Sequence, residues 1–252
     1  MKSRIKIKTA DEIKIMQEGG RILADVKARL ESEVKEGVNA EYIDKLAEDL
    51  ILKLGAKPSF KMVKGYYWTT CVNLNEGVVH GIPKKEVVFR KGDIVSVDVG
   101  VFFRGFHTDT SFSKGIEMDA NKLSFLKVGK YALNKAINEA KVGNYVYDIS
   151  YAIESSLTEN NLNPIKGLVG HGVGRELHED PQIPCLVYQK RNETEVFLEG
   201  NVIAIEVMYT TGSGDIMLMD DGWTISTKDG KISALFEDTI CITNNGPLIL
   251  TD

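Results

Sequence analysis

Cysteine is scarce: Cys71, Cys185 and Cys241 are the only three in a chain of 252 residues. They are odd in number, far apart and in no CxxC or CxxxC arrangement, which argues against a disulfide framework and a thiolate zinc site. Isolated reduced thiols at buried or pocket positions are expected. No stretch approaches the roughly 18 apolar residues that a membrane span needs. The start, Met1-Lys2-Ser3-Arg4-Ile5-Lys6, lacks the apolar run of a secretory signal. The expected location is therefore the cytoplasm. Positive charge is not in excess either, since the net charge of −5 argues against a general affinity for phosphate backbones. Histidine is limited to four residues, His80, His107, His171 and His178, all close to Gly, Pro or acidic residues.

What is present fits a globular enzyme. Hydrophobic residues make up 43% and charged residues 27%. The length suits one large domain or two small ones and buries most of its apolar surface without crosslinks. Thr9 and Glu12 have capping-box spacing. Ile13, Met16, Leu23, Val26 and Leu30 then recur at helical spacing, with Gly37 as the expected stop. A second helix is expected over about 39–54, before Gly55. From about Cys71 to Phe112 the pattern turns β-like. The same order returns, with helices over about 120–141 and 146–160 and a β-rich part from His171 onward.

A sharper similarity lies beneath. Gly92-Asp93-Ile94-Val95-Ser96-Val97-Asp98-Val99 resembles Gly200-Asn201-Val202-Ile203-Ala204-Ile205-Glu206-Val207 at an offset of 108. Upstream, His80-Gly81-Ile82-Pro83 resembles His178-Glu179-Asp180-Pro181 at an offset of 98. Two matches in the same order suggest a duplicated half, about 9–115 and 119–250; chance similarity of amphipathic strands is the competing explanation. No Pro/Ser/Gly-rich linker separates the halves. They are expected to form one α+β domain over 1–252, with a site at the pseudo-twofold axis.

Each half places a carboxylate inside an apolar strand. Val95, Val97, Val99 and Val101 share one face, and Asp98 shares the other with Ser96 and Gly100. A two-residue turn at Arg104-Gly105 would pair Phe103 with Phe106, Gly100 with Asp109 and Asp98 with Ser111. Asp98 and Asp109 are then diagonal neighbours with α-carbons roughly 7–8 Å apart. They repel unless a cation lies between them, and Gly100 leaves room for one. A three-residue turn would instead put them on opposite faces. Glu206 and Glu237 sit in similarly apolar strands, where an unpaired carboxylate is costly to ionise. For any one of these a solvated edge position is an adequate explanation; four in four strands strain it. His171, in Gly170-His171-Gly172-Val173-Gly174, completes an oxygen-rich set suited to two ions of Mn, Fe, Co or Zn sharing one activated water.

These motifs resemble those of the methionine aminopeptidases, within the pita-bread fold group that also holds aminopeptidase P, prolidase and creatinase. The carrying stretches are Asn75-Glu76-Gly77-Val78-Val79-His80-Gly81-Ile82-Pro83, Asp93 to Asp98, Gly105-Phe106-His107-Thr108-Asp109-Thr110-Ser111, Gly170 to Arg175, His178-Glu179-Asp180-Pro181, Ile205-Glu206, Trp223-Thr224 and Ser233 to Glu237. The resemblance implies a pita-bread fold with antiparallel sheet inside and helices outside. It implies that Asp109 and Glu237 bridge both ions, that Asp98 serves one, and that His171 and Glu206 serve the other. His80 would contact the substrate amide nitrogen, His178 would polarise the scissile carbonyl, and Glu206 would act as general base. A pocket for methionine would include Tyr66, Cys71, Leu177 and Trp223, since aromatic groups suit a thioether. His107 would be either a support for Asp109 or a plain strand histidine.

The implied partner is the N-terminus of a peptide or nascent protein, and by the family's role the ribosome, although no basic segment points to it. A monomer is expected, with no nucleic-acid specificity and no membrane contact. Departures from the family pattern are Val207, Leu235-Phe236, Asp238, Val63 and Tyr67. An X-Pro aminopeptidase or prolidase-like enzyme is the alternative, to which Glu237-Asp238-Thr239 leans. Such enzymes usually carry a further N-terminal domain and an Arg near the last Glu, where Phe236 stands. The absence of a helical insertion favours type I. A non-catalytic pita-bread binding protein would be expected to have lost several of the five ligands, and all five are present.

Overall fold

The computed structural model describes residues 5–252. The expectation about a secretory signal falls partly on residues 1–4, which lie outside the described residues. Four α-helices are formed among the described residues: α1 (Ala10–Glu33), α2 (Ala40–Lys53), α3 (Ala120–Glu139) and α4 (Val146–Thr158). The strands of the first half are β1 (Lys57–Pro58), β2 (Thr70–Leu74), β3 (Gly77–Val79), β4 (Ile94–Phe103) and β5 (Phe106–Gly115). Those that follow are β6 (Asn163–Pro164), β7 (Val169–Gly172), β8 (Glu179–Pro184), β9 (Val202–Thr210), β10 (Ile216–Leu218), β11 (Ile225–Thr227), β12 (Ser233–Thr243) and β13 (Gly246–Ile249).

Local chemistry sets the helix starts. The Thr9 hydroxyl accepts from the Glu12 amide at 3.3 Å, and the Glu12 carboxylate accepts from the Thr9 amide at 2.8 Å. Asn39 caps α2 by accepting from the Tyr42 amide at 2.9 Å. Helix α1 ends at Glu33 rather than at Gly37, because Val34 already has extended backbone. Gly37 instead makes a later turn whose amide donates to Phe89 O at 3.0 Å.

The main sheet runs β1-β4-β5-β12-β9-β7-β8, with β2 on β4, β6 on β9 and β13 on β12. The β4–β5 hairpin turns at Arg104 and Gly105, both with positive φ (46° and 94°), as a two-residue turn with the strands' twist requires. Its register pairs Phe103 with Phe106, Gly100 with Asp109 and Asp98 with Ser111.

The two halves repeat this geometry. β1 and β2 flank β4 as β6 and β7 flank β9. Asn73 lies opposite Ser96 in the first half, and His171 lies opposite Ala204 in the second. Those pairs are related by the same offsets, 98 and 108, that separate the sequence repeats. One sheet thus takes strands from both halves.

The helices cover one face. Val95, Val97, Val99 and Val101 pack with Leu23, Val26 and Leu30 of α1 and Ile43, Ala47 and Ile51 of α2. Ile203, Ile205 and Val207 pack with Phe125 and Leu133 of α3 and Ile149 and Ile153 of α4. The alternate residues of β4, β5, β9 and β12 are turned to the other face, away from the helices.

Candidate metal centre

On that second face the registers bring five residues into one row. Cys71 of β2 lies opposite Asp98 of β4, Asp98 opposite Ser111 of β5, Ser111 opposite Glu237 of β12, and Glu237 opposite Glu206 of β9. Asp109 is two residues from Ser111 and so shares its face, while His171 reaches in from β7. Asp109, His171 and Glu237 each present a ligand atom within 4.8 Å of the other two. Glu206 extends the group, with its Oε1 3.4 Å from His171 Nε2. Asp98 stands at the other end, a diagonal neighbour of Asp109 on the same face.

Gly100 does not hold space for an ion. A Cβ there would lie 2.8 Å from Ser59 Cβ and 2.9 Å from the Phe60 ring, so Ser59 and Phe60 occupy the room. The Ser59 hydroxyl is bound to His107 Nδ1, and the His107 ring lies 4.7 Å from that of Phe102. His107 thus supports the wall beside Gly100.

The electrostatics are those of crowded anions out of water. Burial raises all four carboxyl groups above their ordinary range. For Asp109 and Glu206 the charge of Asp98 adds to this, and for Glu237 the charge of Asp109 does. Asp98 Oδ1, Ser111 Oγ and Glu237 Oε1 are buried without a hydrogen-bond partner, an arrangement that folded chains avoid unless something binds there. His171 is the complement. Burial first, and then His178, lower its pKa to about 4, so it is neutral at pH 7. Its Nδ1 faces Gly172 O at 2.9 Å, which makes Nδ1 the donor and leaves the Nε2 lone pair toward the carboxylates. Four carboxylates and one neutral imidazole fit divalent cations: the positive charge removes the repulsion, and the unpartnered oxygens gain ligation.

All the site residues named from sequence line one cavity of about 140 Å³, with Phe60, Val63 and Val79 beside them. Tyr66, Cys71 and Leu177 are buried at its apolar end, where the Trp223 ring lies 5.1 Å from that of Tyr66. The Tyr66 hydroxyl donates to Thr70 O at 2.8 Å, fixing the ring against β2. Thr70 is in turn held by Asp44 of α2, which accepts from its amide and hydroxyl at 2.8 and 2.9 Å. His80 and His178 stand at the mouth, each reaching solvent while its ring is largely surrounded by the chain. Burial lowers both, His80 with a further contribution from His178, so each is neutral near pH 7. His80 has a left-handed backbone (φ 57°) that β-carbon sterics disfavour. The His171 and His178 rings meet edge to face at 4.5 Å.

Sequence reasoning missed Phe60 and Val79 as lining residues. Phe60 lies in a three-residue turn after a two-residue strand, with no periodicity to reveal it. Val79 lies within the motif Asn75 to Pro83, and its place just before His80 is the signal that marks it.

Comparison with known proteins agrees with this geometry. A model of metallopeptidase family M24 matches residues 14–244. A methionine aminopeptidase of Clostridium perfringens is 38% identical over 250 residues, covering 98% of each chain. Methionine aminopeptidase 1 of Bacillus subtilis is 41% identical over 247 residues, covering 97% of this chain and 98% of that protein. The crystal structure of methionine aminopeptidase from Thermotoga maritima superposes with a TM-score of 0.95 at 41% identity, covering 98% of this chain and 99% of that one. The pita-bread fold, the buried Asp/His/Glu cluster and the full-length similarity converge: the chain belongs to the methionine aminopeptidases of metallopeptidase family M24.

Proposed function

We infer that this chain removes the N-terminal methionine from peptides and nascent proteins whose second residue is small. The observation that carries the reading is the cavity itself. One end is closed by Tyr66, Cys71, Leu177, Phe60 and Trp223, the other by five metal-ligand side chains, with His80 and His178 at the mouth. A methionine side chain enters the first end and places the first peptide bond over the second.

Asp98, Asp109, His171, Glu206 and Glu237 would hold two divalent ions of Co, Mn, Fe or Zn type. When bound, such ions withdraw electron density from a water and from a carbonyl oxygen. The chain's own groups do the rest. Glu206, largely buried but with 14% of its side chain open at the cavity, takes the proton of the attacking water on its carboxylate. Neutral His178 donates its N–H to the carbonyl oxygen as negative charge develops there. His80 hydrogen-bonds the amide nitrogen and passes a proton to the leaving amine. The Asp98 end, beside Cys71, receives the free α-amine, which restricts cleavage to the first residue.

The five ligand residues belong to one chain and one continuous sheet, with His80 and His178 on loops beside it, so a single catalytic domain acting as a monomer suffices. No described helix is long and apolar enough to cross a membrane. Side-by-side hydrolysis of Met-Ala, Met-Gly, Met-Lys and Ala-Pro peptides tests the reading. Release of Met from the first two and not the third is expected. A preference for Ala-Pro would establish an X-Pro peptidase instead.

A further inference from the structure

Beyond the catalytic cavity, two further cavities continue along β8. The first, of about 500 Å³, shares His171 and His178 with the site and reaches Val169, Asp180 and Gln182. The second, of about 330 Å³, shares Asp180 and Gln182 with the first and ends between Tyr147 of α4 and Val187-Tyr188. Together they trace a groove that starts at the mouth of the site, on the side opposite Tyr66 and Cys71.

The groove's wall is a strand edge. Among the described residues β8 is the last strand of the main sheet and pairs only with β7. Pro184 has no amide to exchange with Val169 opposite it, so that pair is of the non-hydrogen-bonded kind. Gln182, two residues earlier and opposite His171, is of the same kind, and its N–H and C=O point away from β7 into the groove. Pro184, the next residue facing the open edge, carries no donor, which blunts indiscriminate edge pairing and leaves Gln182 as the docking point. The far wall is anchored. The Val187 amide donates to Glu154 of α4 at 2.9 Å, and Arg191 grips Asp148 of α4 at 2.6 and 2.7 Å. Tyr188 is 63% exposed, a large ring left uncovered at the groove's end.

We propose that this groove seats the substrate chain downstream of the cleaved bond as an extended strand, its backbone on Gln182 and a later side chain against Tyr188. The inference rests on the aminopeptidase reading, because an exopeptidase with its first side chain in a closed pocket must send the rest of the substrate out the other way. The span from His178 to Gln182 is about 13 Å of extended chain, so the occupants are about the third to sixth substrate residues. Strand addition gives affinity through the backbone and is indifferent to sequence, which suits an enzyme acting on many different proteins.

A length series of Met-Ala peptides from two to eight residues tests this with the metal-loaded enzyme. Two backbone hydrogen bonds and a ring contact should raise kcat/KM on the order of tenfold between tripeptide and hexapeptide, followed by a plateau. In Tyr188→Ala the hexapeptide-to-tripeptide ratio should fall toward one. A flat series with Met still released would overturn the groove and leave the aminopeptidase reading intact. A second measurement does not depend on turnover. A Met-Ala peptide with its first bond reduced and benzoylphenylalanine at the fourth position should photocrosslink within residues 180–189. Crosslinks on the opposite rim, at Tyr67 or Met217–Met219, or none at all, would overturn the proposal even if the enzyme released no methionine.

Discussion

Four carboxylates gathered on one face of a sheet make the metal-free protein sensitive to pH in a direction that can be worked out. Burial raises Asp98 to about 7 and lifts Asp109, Glu206 and Glu237 as well. The native state therefore holds protons that the unfolded chain has released, and stability falls as pH rises through the raised values. The buried histidines act in the opposite sense, with His107 and His171 lowered to about 4 from 6.5. Their contribution rises with pH through 6.5, the midpoint of the unfolded histidines, and levels off about one unit above it, while the four carboxylates outweigh it. Above that the carboxylates act alone. In chelator, the Tm should fall between pH 6.5 and 8.5, and Asp98→Asn should flatten the slope; a flat or rising wild-type curve would contradict the account. His171→Ala should lower metal affinity by a hundredfold or more, by the order of magnitude known for changes around metal ligands. Metal content after dialysis measures it. The clustered carboxylates were legible because each interrupts an apolar run. The occupant of the space at Gly100 was not, because Ser59 and Phe60 arrive from forty residues away in sequence.

Among the elements, those whose shape is set by near neighbours were readable. The Thr9 cap, the start of α2 near Asn39, the Arg104-Gly105 turn and the valine face of β4 all follow from residues within a few positions. β1 and β6 were not, since two residues carry no period and their pairing depends on distant strands. The close approach of α1 to the C-terminal segment was equally hidden. Gly20 faces Leu250 so tightly that a Cβ would lie 2.1 Å from Leu250 O, a backbone atom that cannot swing aside. Helix propensity alone would favour alanine there by about 1 kcal/mol. Contact with the backbone outweighs it, and Gly20→Ala should lower stability by about 1–3 kcal/mol. Thr9→Ala should cost about 1 kcal/mol through loss of the cap. Urea unfolding of both variants checks the order, and a stabilised Gly20→Ala would mean that α1 does not press on Leu250.

The whole molecule is joined at a seam, and the metal site straddles it. Asp98 and Asp109 come from the first half, and His171, Glu206 and Glu237 from the second. Among the described residues, Glu237 and Ser111 form the one ladder pair between β5 and β12. Hydroxyls stitch the rest: Thr110 donates to Glu237 O at 2.7 Å and Ser113 to Leu235 O at 2.8 Å. Thr239 both accepts from the Asp109 amide at 2.9 Å and donates to Asp109 O at 2.7 Å. Side chains thus stand between the two backbones where a direct ladder would otherwise run. The matching strand motifs of the two halves could be read in the sequence; this seam could not, because it depends on how the two halves meet. Ions held by Asp109 and Glu237 would brace the halves against each other. At a hundredfold excess over Kd they should add about 2.7 kcal/mol, or about 5–10 °C in Tm for a chain of this size. The bracing also has a location. With metal, hydrogen exchange should slow most at 109–113 and 233–239, and much less in α2 and α4, which lie behind the sheet. Exchange mass spectrometry with and without chelator decides it. Uniform slowing, or slowing confined to the helices, would mean that the ions stabilise the fold without bridging its halves.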